Sequence, residues 1–279
     1  MSTTTPSSST FRRAIAQKRL LFGAIITLLV TAMAIFGPLV APHGENEIVG
    51  APFSSDVGLF GTDYLGQDVL SRLLYGGQIV LLIAVLGTIL GMVVGVLIGV
   101  VAAYAGGWWD EVIMRLNDVT LAFPQILLAL VVLTAVNDPK WWMIVLLVGI
   151  SHAPRVARLA RGVALGIVSR DFVVAAEALG ERRSRVILAE VLPNMNAPLL
   201  AEAGLRLTYS IGLVAGLGFL GFATDPSAAD WGQMINENRL AMASQSWAVL
   251  APVLIIGLFT IGTNLMADGI AQFNAKGGD

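Results

Sequence analysis

APRVARLARGVALGIVSRDFVVAAEALGERRSRVILAEVLPNMNAPLL, residues 153–200, holds seven arginines between two uncharged stretches. It decides how many times the chain crosses a membrane. Upstream, Trp141 to Ala153 is an uncharged run of only 13 residues, short of the roughly 20 helical residues that span a hydrocarbon core. Five other runs are long enough: Leu20–Val40, Ile79–Val101, Thr120–Val136, the stretch 197–223 interrupted by Glu202 and Arg206, and Trp247–Ala267. Counting Trp141–Ala153 as a sixth span, with the N-terminus in the cytoplasm, puts thirteen of the seventeen Lys and Arg inside. Three fall outside (Arg72, Lys140, Arg239), and Arg206 lies within a span. Without that span the arginine-rich segment would face outward, against the positive-inside rule. Six spans are therefore expected, with Trp141 and Trp142 as interfacial anchors and Arg155 and Arg158 reaching toward headgroups.

Composition agrees. The 279 residues are 56% hydrophobic and 13% charged, with mean hydropathy +0.77; soluble domains carry about 25% charged residues. A net charge of −2 gives no basic footprint for nucleic acid, and zero cysteines exclude disulfides, thiol catalysis and thiolate metal sites. The expected organisation is an N-terminal cytoplasmic tail 1–19, whose Ser/Thr-rich start lacks a periodic apolar face, a membrane domain 20–267 and a cytoplasmic tail 268–279. The apolar run after Arg19 is longer than a signal-peptide core and reads as a retained anchor.

Within the arginine-rich loop, about 154–196, apolar residues recur at helical spacing: Phe172, Ala175, Ala176 and Leu179, then Val186, Ile187 and Val191. Two short helices are expected, parted by Gly180 in an open or left-handed conformation, with Pro193 stopping the second. Two readings stand: an amphipathic element on lipid headgroups, or a docking element offering the small surface of Ala175, Ala176, Ala178 and Gly180. Gly87, Gly91, Gly95 and Gly99 repeat every four residues and mark a helix-packing face, a glycine-lined pore being the alternative. Arg206 has Glu202 one turn before it, either as a local pair near the interface or as polar groups on a translocation path. Asp63, Asp68, Asp225, Asp230, Trp231 and Glu237 belong to the outer loops, as a surface for a partner or as solvated loop residues. Adjacent Ser151 and His152 read as an interfacial histidine rather than a catalytic pair. A secondary transporter would need acidic or histidine groups near the bilayer centre, which the spans largely lack.

The block FVVAAEALG followed by LPN (Leu192–Asn194) resembles the "EAA" loop of importer-type ABC permeases, matching it at Ala175, Ala176, Gly180, Leu192 and Pro193; Val174 stands where the pattern has glutamate. GTDYLGQDVLSRLLYGG (Gly61–Gly77), DVTLAFPQILLAL (Asp118–Leu130), LGFLGFATDPSAADWGQMI (Leu217–Ile235) and NLMADG (Asn264–Gly269) are similar to blocks of the C-type, or second, subunit of dipeptide, oligopeptide and nickel permeases. Gln67 and Phe222–Ala223 depart from that pattern. The resemblance runs from about Arg12 to Phe273. It implies an all-α fold of the type I ABC importer permease class, with a cytoplasmic coupling helix at Phe172, Ala175, Ala176, Glu177, Leu179 and Gly180, continued through Leu192, Pro193 and Asn194. It also implies a bacterial inner-membrane location, a B-type permease as heterodimer partner, P-loop ATPase subunits that bind ATP and Mg, and an extracytoplasmic solute-binding protein. No G-x-x-x-x-G-K-[ST] occurs, so the chain has no phosphate-cradling loop of its own. Peptides are the default solute.

Overall fold

In a computed structural model of the chain, residues 18–223 and 227–276 are described. Asp225 and the tail before Lys18 lie outside them. The described residues are helical apart from connecting loops: α1 (Lys18–Val40), α2 (Val69–Tyr75), α3 (Gly77–Ala105), α4 (Gly107–Leu121), α5 (Gln125–Thr134), α6 (Trp141–Val168), α7 (Asp171–Ala178), α8 (Arg183–Val186), a π-helical turn (Ile187–Val191), α9 (Leu192–Asn194), α10 (Asn196–Phe219), α11 (Trp231–Asn238), a 3₁₀ turn (Arg239–Ala241) and α12 (Trp247–Lys276).

Glycines decide which helices pair. A Cβ added at Gly87, Gly91, Gly95 or Gly99 would stand 2.5 Å from Val148, 2.9 Å from His152, 2.5 Å from Val156 and 2.4 Å from the Ala157 carbonyl. All four therefore face α6, and the absent side chains let the two backbones close up. Both partner numbers rise together, so α3 and α6 run parallel. A second seam joins the first and last helices, where Gly23 lies against the Gly262 carbonyl and the Met266 amide, and Gly269 against Leu20; these run antiparallel. Between the pairs, α10 is linked to α3 by Thr88–Ser210 (2.7 Å) and to α12 by Thr208–Thr263 (2.9 Å).

Parallel pairing of α3 and α6 requires the chain to climb back between them. That return is α4 and α5, bent by 75°; Pro124 excludes Phe123 from helical conformation and makes the break. The expected single span Thr120–Val136 is thus two helices, and α5, at ten residues, is only about 15 Å long. The described helices run back and forth between two ends. At one end α2, α11 and the loop 41–68 form a cap; at the other α7 to α9 form a knuckle. By length and composition four helical stretches can cross a membrane, and the bent pair makes five. The α10 helix reaches about 36 Å with 24 residues but carries Glu202 and Arg206.

Two boundaries shift. The fourth pass does not stop at Ala153 but runs to Val168, because α4 neutralises its arginines: Arg161 binds Asp110 through two bonds (2.6 and 2.5 Å) and Arg158 binds Asp118 (2.7 Å). Residues 268–276 continue α12 instead of forming a separate tail.

Candidate functional site

The knuckle begins where α6 ends. The α7 helix sets its inner side, Val173 and Ala176, against the ends of α3 and α6, in a cluster with Val100, Ala103, Ala160, Ala164 and Ile167 that also takes in Val186, Val191, Met195 and Leu192. Val173 is fully buried, whereas Phe172, Val174 and Leu179 on the outer side are 38%, 55% and 84% exposed. Ala175 and Ala178 are exposed as well, but Ala176 is half-buried and turned inward. The expected small-residue surface is therefore divided. Ala176 serves the chain's own packing, and the outer face mixes alanines with large apolar side chains.

Gly180 ends α7 in the left-handed region, φ 80°. Its N–H bonds to the Glu177 carbonyl (2.9 Å) and that of Glu181 to the Ala176 carbonyl (3.2 Å), the paired 5→2 and 6→1 bonds of a Schellman motif. No atom of the chain lies within 4 Å of a Cβ placed there, so within this chain its role is conformational. Glu177 accepts a hydrogen bond from the Tyr104 hydroxyl on α3, and the Arg183 guanidinium lies 6.0 Å from the Tyr104 ring centre. Sequence reading did not single out Tyr104: nothing in its own neighbourhood marks it, because its partner is 73 residues away. Pro193 does not stop the second helix. The turn before it widens to π spacing, relieving the crowding a proline ring imposes on the preceding turn, and α9 continues through it. Pro193 and Asn194 are exposed, and Asn194 donates to the Glu190 carbonyl (2.6 Å).

Deeper in, Arg206 pairs with Glu202 at 2.8 Å, both nearly buried, and stacks over the Tyr209 ring at 5.1 Å. The two members face different spaces. Glu202 borders a cavity of about 520 Å³ among α6, α10 and α12, lined also by Leu159, Leu205 and Asp268. Arg206 lines a smaller one, about 170 Å³, with Gln125, Arg155 and Tyr209. Arg155 is thus beside a cavity midway along α6. His152 is fully buried, its Cβ against Gly91.

At the cap, four of the residues expected as a partner surface or as solvated loops are neither, and Glu237 is half-buried. Asp63, Asp68, Asp230 and Trp231 are buried. Arg72, 2% exposed, bonds to Asp63 at 2.5 Å and to Glu237 at 3.2 Å. Asp63 also accepts the N–H groups of Leu65 and Gln67. Tyr64 N–H donates to Asn238, and the Trp231 indole to the Leu73 carbonyl (2.9 Å). Asp68 and Asp230 cap α2 and α11. Burial pushes the Asp230 carboxyl up to about 6, against the opposing pull of the Gln233 and Gly232 N–H groups. Burial, with Glu237 nearby, also raises the Tyr64 phenol. The block GTDYLGQD therefore specifies a folded cap.

Residues 95–276 match the family of binding-protein-dependent transport system inner membrane components, and residues 5–54 match the N-terminal TM domain of oligopeptide transport permease C. The chain is 31% identical to the dipeptide transport system permease protein of Alkalihalophilus pseudofirmus, over 95% of its own length and 88% of that protein. It is 34% identical to the glutathione transport system permease protein of Escherichia coli O157:H7, over 95% and 89%. With the di/tripeptide transport system permease protein of Pseudomonas aeruginosa the identity is 35%, over 91% and 86%. In fold it resembles a chain of the methionine ABC transporter solved in inward-facing conformations, with TM-score 0.56, 16% identity, and coverage of 71% of this chain and 96% of that one.

Proposed function

The chain belongs to the family of binding-protein-dependent transport system inner membrane components, and on that footing we propose that it lines part of a path for peptides or related small solutes and receives mechanical work through α7. It is a multi-pass inner-membrane permease subunit, not an enzyme; members of such systems act with another permease, an ATPase and a binding protein. The finer reading is a C-type subunit paired with a B-type one, with six membrane crossings. The knuckle and both termini then lie in the cytoplasm, and the cap faces the binding protein. Solutes of the dipeptide and glutathione class suit the relatives' substrates.

One observation carries the coupling role: α7 is fastened on its inner side to the ends of α3 and α6, while Phe172, Val174 and Leu179 lie open on the other. A push on that face is transmitted to two passes at once. Coupling then requires that ATP binding favour one arrangement of these passes over another. ATP and Mg are held by the partner ATPases in this reading.

Leu179 supplies the test. Burying a leucine contributes about 1.5–3 kcal/mol, so Leu179→Asp should weaken ATPase association about tenfold or more while the chain, which scarcely touches this side chain, still inserts. Co-purification in detergent reads this without a bilayer, which separates docking from adsorption of the same apolar residues to lipid. Undiminished co-purification together with undiminished uptake would remove α7 from the coupling path.

A further inference from the structure

Four polar side chains from three helices line the smaller cavity. Gln125 comes from the start of α5, Arg155 from α6, and Arg206 and Tyr209 from α10. Arg155 is fourteen residues from Trp141, about 21 Å, and Arg206 ten residues from Asn196, about 15 Å. Measured from opposite ends, both are near the middle of their helices.

Charge does not balance there. Glu202 answers Arg206, but among the described residues Arg155 has no acidic partner, and its hydrogen bond to the Ser151 carbonyl is a long one, 3.4 Å. Gln125 turns its amide N–H to that same carbonyl (2.7 Å), fixing the cavity's rim. An arginine at this depth costs about 2.5–3.5 kcal/mol in insertion, and a site that keeps an unmatched one is suited to an anion. Guanidinium groups bind carboxylates through paired, charge-assisted hydrogen bonds.

We infer that this cavity holds the carboxylate end of the transported solute, with Arg155 as the principal ligand and Arg206, oriented by Glu202 and Tyr209, as the second. The inference rests on the permease reading above and names its solute class: small molecules that carry a free carboxylate. Size is consistent with a handhold for one end. About 170 Å³ is below the roughly 300–1,000 Å³ of sites that enclose a whole small ligand. Arg155 and Tyr209 are exposed in the isolated subunit, so the rest of the solute has room beside them.

The test uses the complete transporter in proteoliposomes, with both permease subunits, the ATPase and the binding protein. The carboxylate-bearing probes are Ala-Ala and glutathione, and the C-terminal amide of Ala-Ala is the comparison. Arg155→Gln and Arg206→Gln should each lower maximal uptake of the carboxylate probes at least tenfold, and uptake of the amide far less. Arg155→Lys should recover part of the loss. Because Arg206→Gln strands Glu202, the decisive variant is Arg155→Gln, whose parent side chain is exposed. Wild-type rates in Arg155→Gln would overturn the inference, as would wild-type transport confined to solutes lacking a carboxylate. A wild-type complex that imports nothing with ATP would overturn the permease reading itself, and the carboxylate site with it.

Discussion

Replacing Gly180 distinguishes two reasons why a glycine stands at the end of α7. At φ 80° a residue with a Cβ is strained by about 1–2 kcal/mol, and the cost falls on the Schellman bonds that join Gly180 and Glu181 to the last turn of α7. Nothing in the chain lies within 4 Å of the added carbon, so side-chain size adds nothing until a partner arrives. If α7 must hold this form to dock, 1–2 kcal/mol lowers ATPase affinity about 5- to 30-fold. The series is Gly180→Asn, Gly180→Ala and Gly180→Trp, assayed by ATPase co-purification and by solute-stimulated ATP hydrolysis in the assembled complex. Asn, which tolerates the left-handed region, should stay near wild type. Ala should show the strain, and Trp should fall further only if the partner presses on this corner. Equal loss in Ala and Trp would assign the glycine to backbone conformation alone. Full transport by Gly180→Trp would refute both reasons.

The cap and the seams give three more expectations. Arg72→Ala leaves Asp63 buried without its cation and should destabilise the protein by about 3–5 kcal/mol, visible as a lowered melting temperature and early proteolysis in the loop 41–68. Asp230 binds its proton more tightly when folded than when unfolded, so its share of stability falls as pH rises from about 4 to about 6, by about 3 kcal/mol in all. Asp230→Asn keeps the cap of α11 and should flatten that slope, so an unchanged pH profile of the melting temperature would contradict the burial argument. Gly95→Val forces α3 away from Val156 and the Ala153 carbonyl, already within 2.6 Å of the first added carbon. A loss of about 1–3 kcal/mol should appear, whereas Gly212→Val, where nothing lies within 4 Å of a Cβ, should cost far less in packing.

What the sequence discloses follows the range of each interaction. Hydropathy and the four-residue glycine repeat are local, and they place α3 and its packing face correctly; the glycine at φ 80° and the Glu202–Arg206 pair, one turn apart, are equally local. The end of α6 was hidden because Arg155 and Arg158 read as a boundary, whereas in the fold Asp118 and Asp110 meet Arg158 and Arg161 from 40 and 51 residues away. Tyr104 and Gln125 went unnoticed for the same reason: each acquires meaning only from a partner on another helix. Acidic residues in the outer loops look solvated in sequence because charge suggests water. Asp68 and Asp230 are instead taken up as helix caps, and Asp63 and Glu237 share Arg72, whose single guanidinium serves carboxylates 9 and 165 residues distant.

The pairing of α1 with α12 has a consequence for synthesis. About 200 residues separate Val40 from Trp247, so at roughly 5–20 residues per second the earliest hydrophobic segment waits on the order of 10–40 s for its mate to leave the ribosome. Throughout that interval the notch at Gly23 lacks the backbone of α12 that fills it in the fold. Pairing of α1 therefore waits on Trp247–Lys276, and a polypeptide cut short before Trp247 presents the quality-control proteases with an unmated α1.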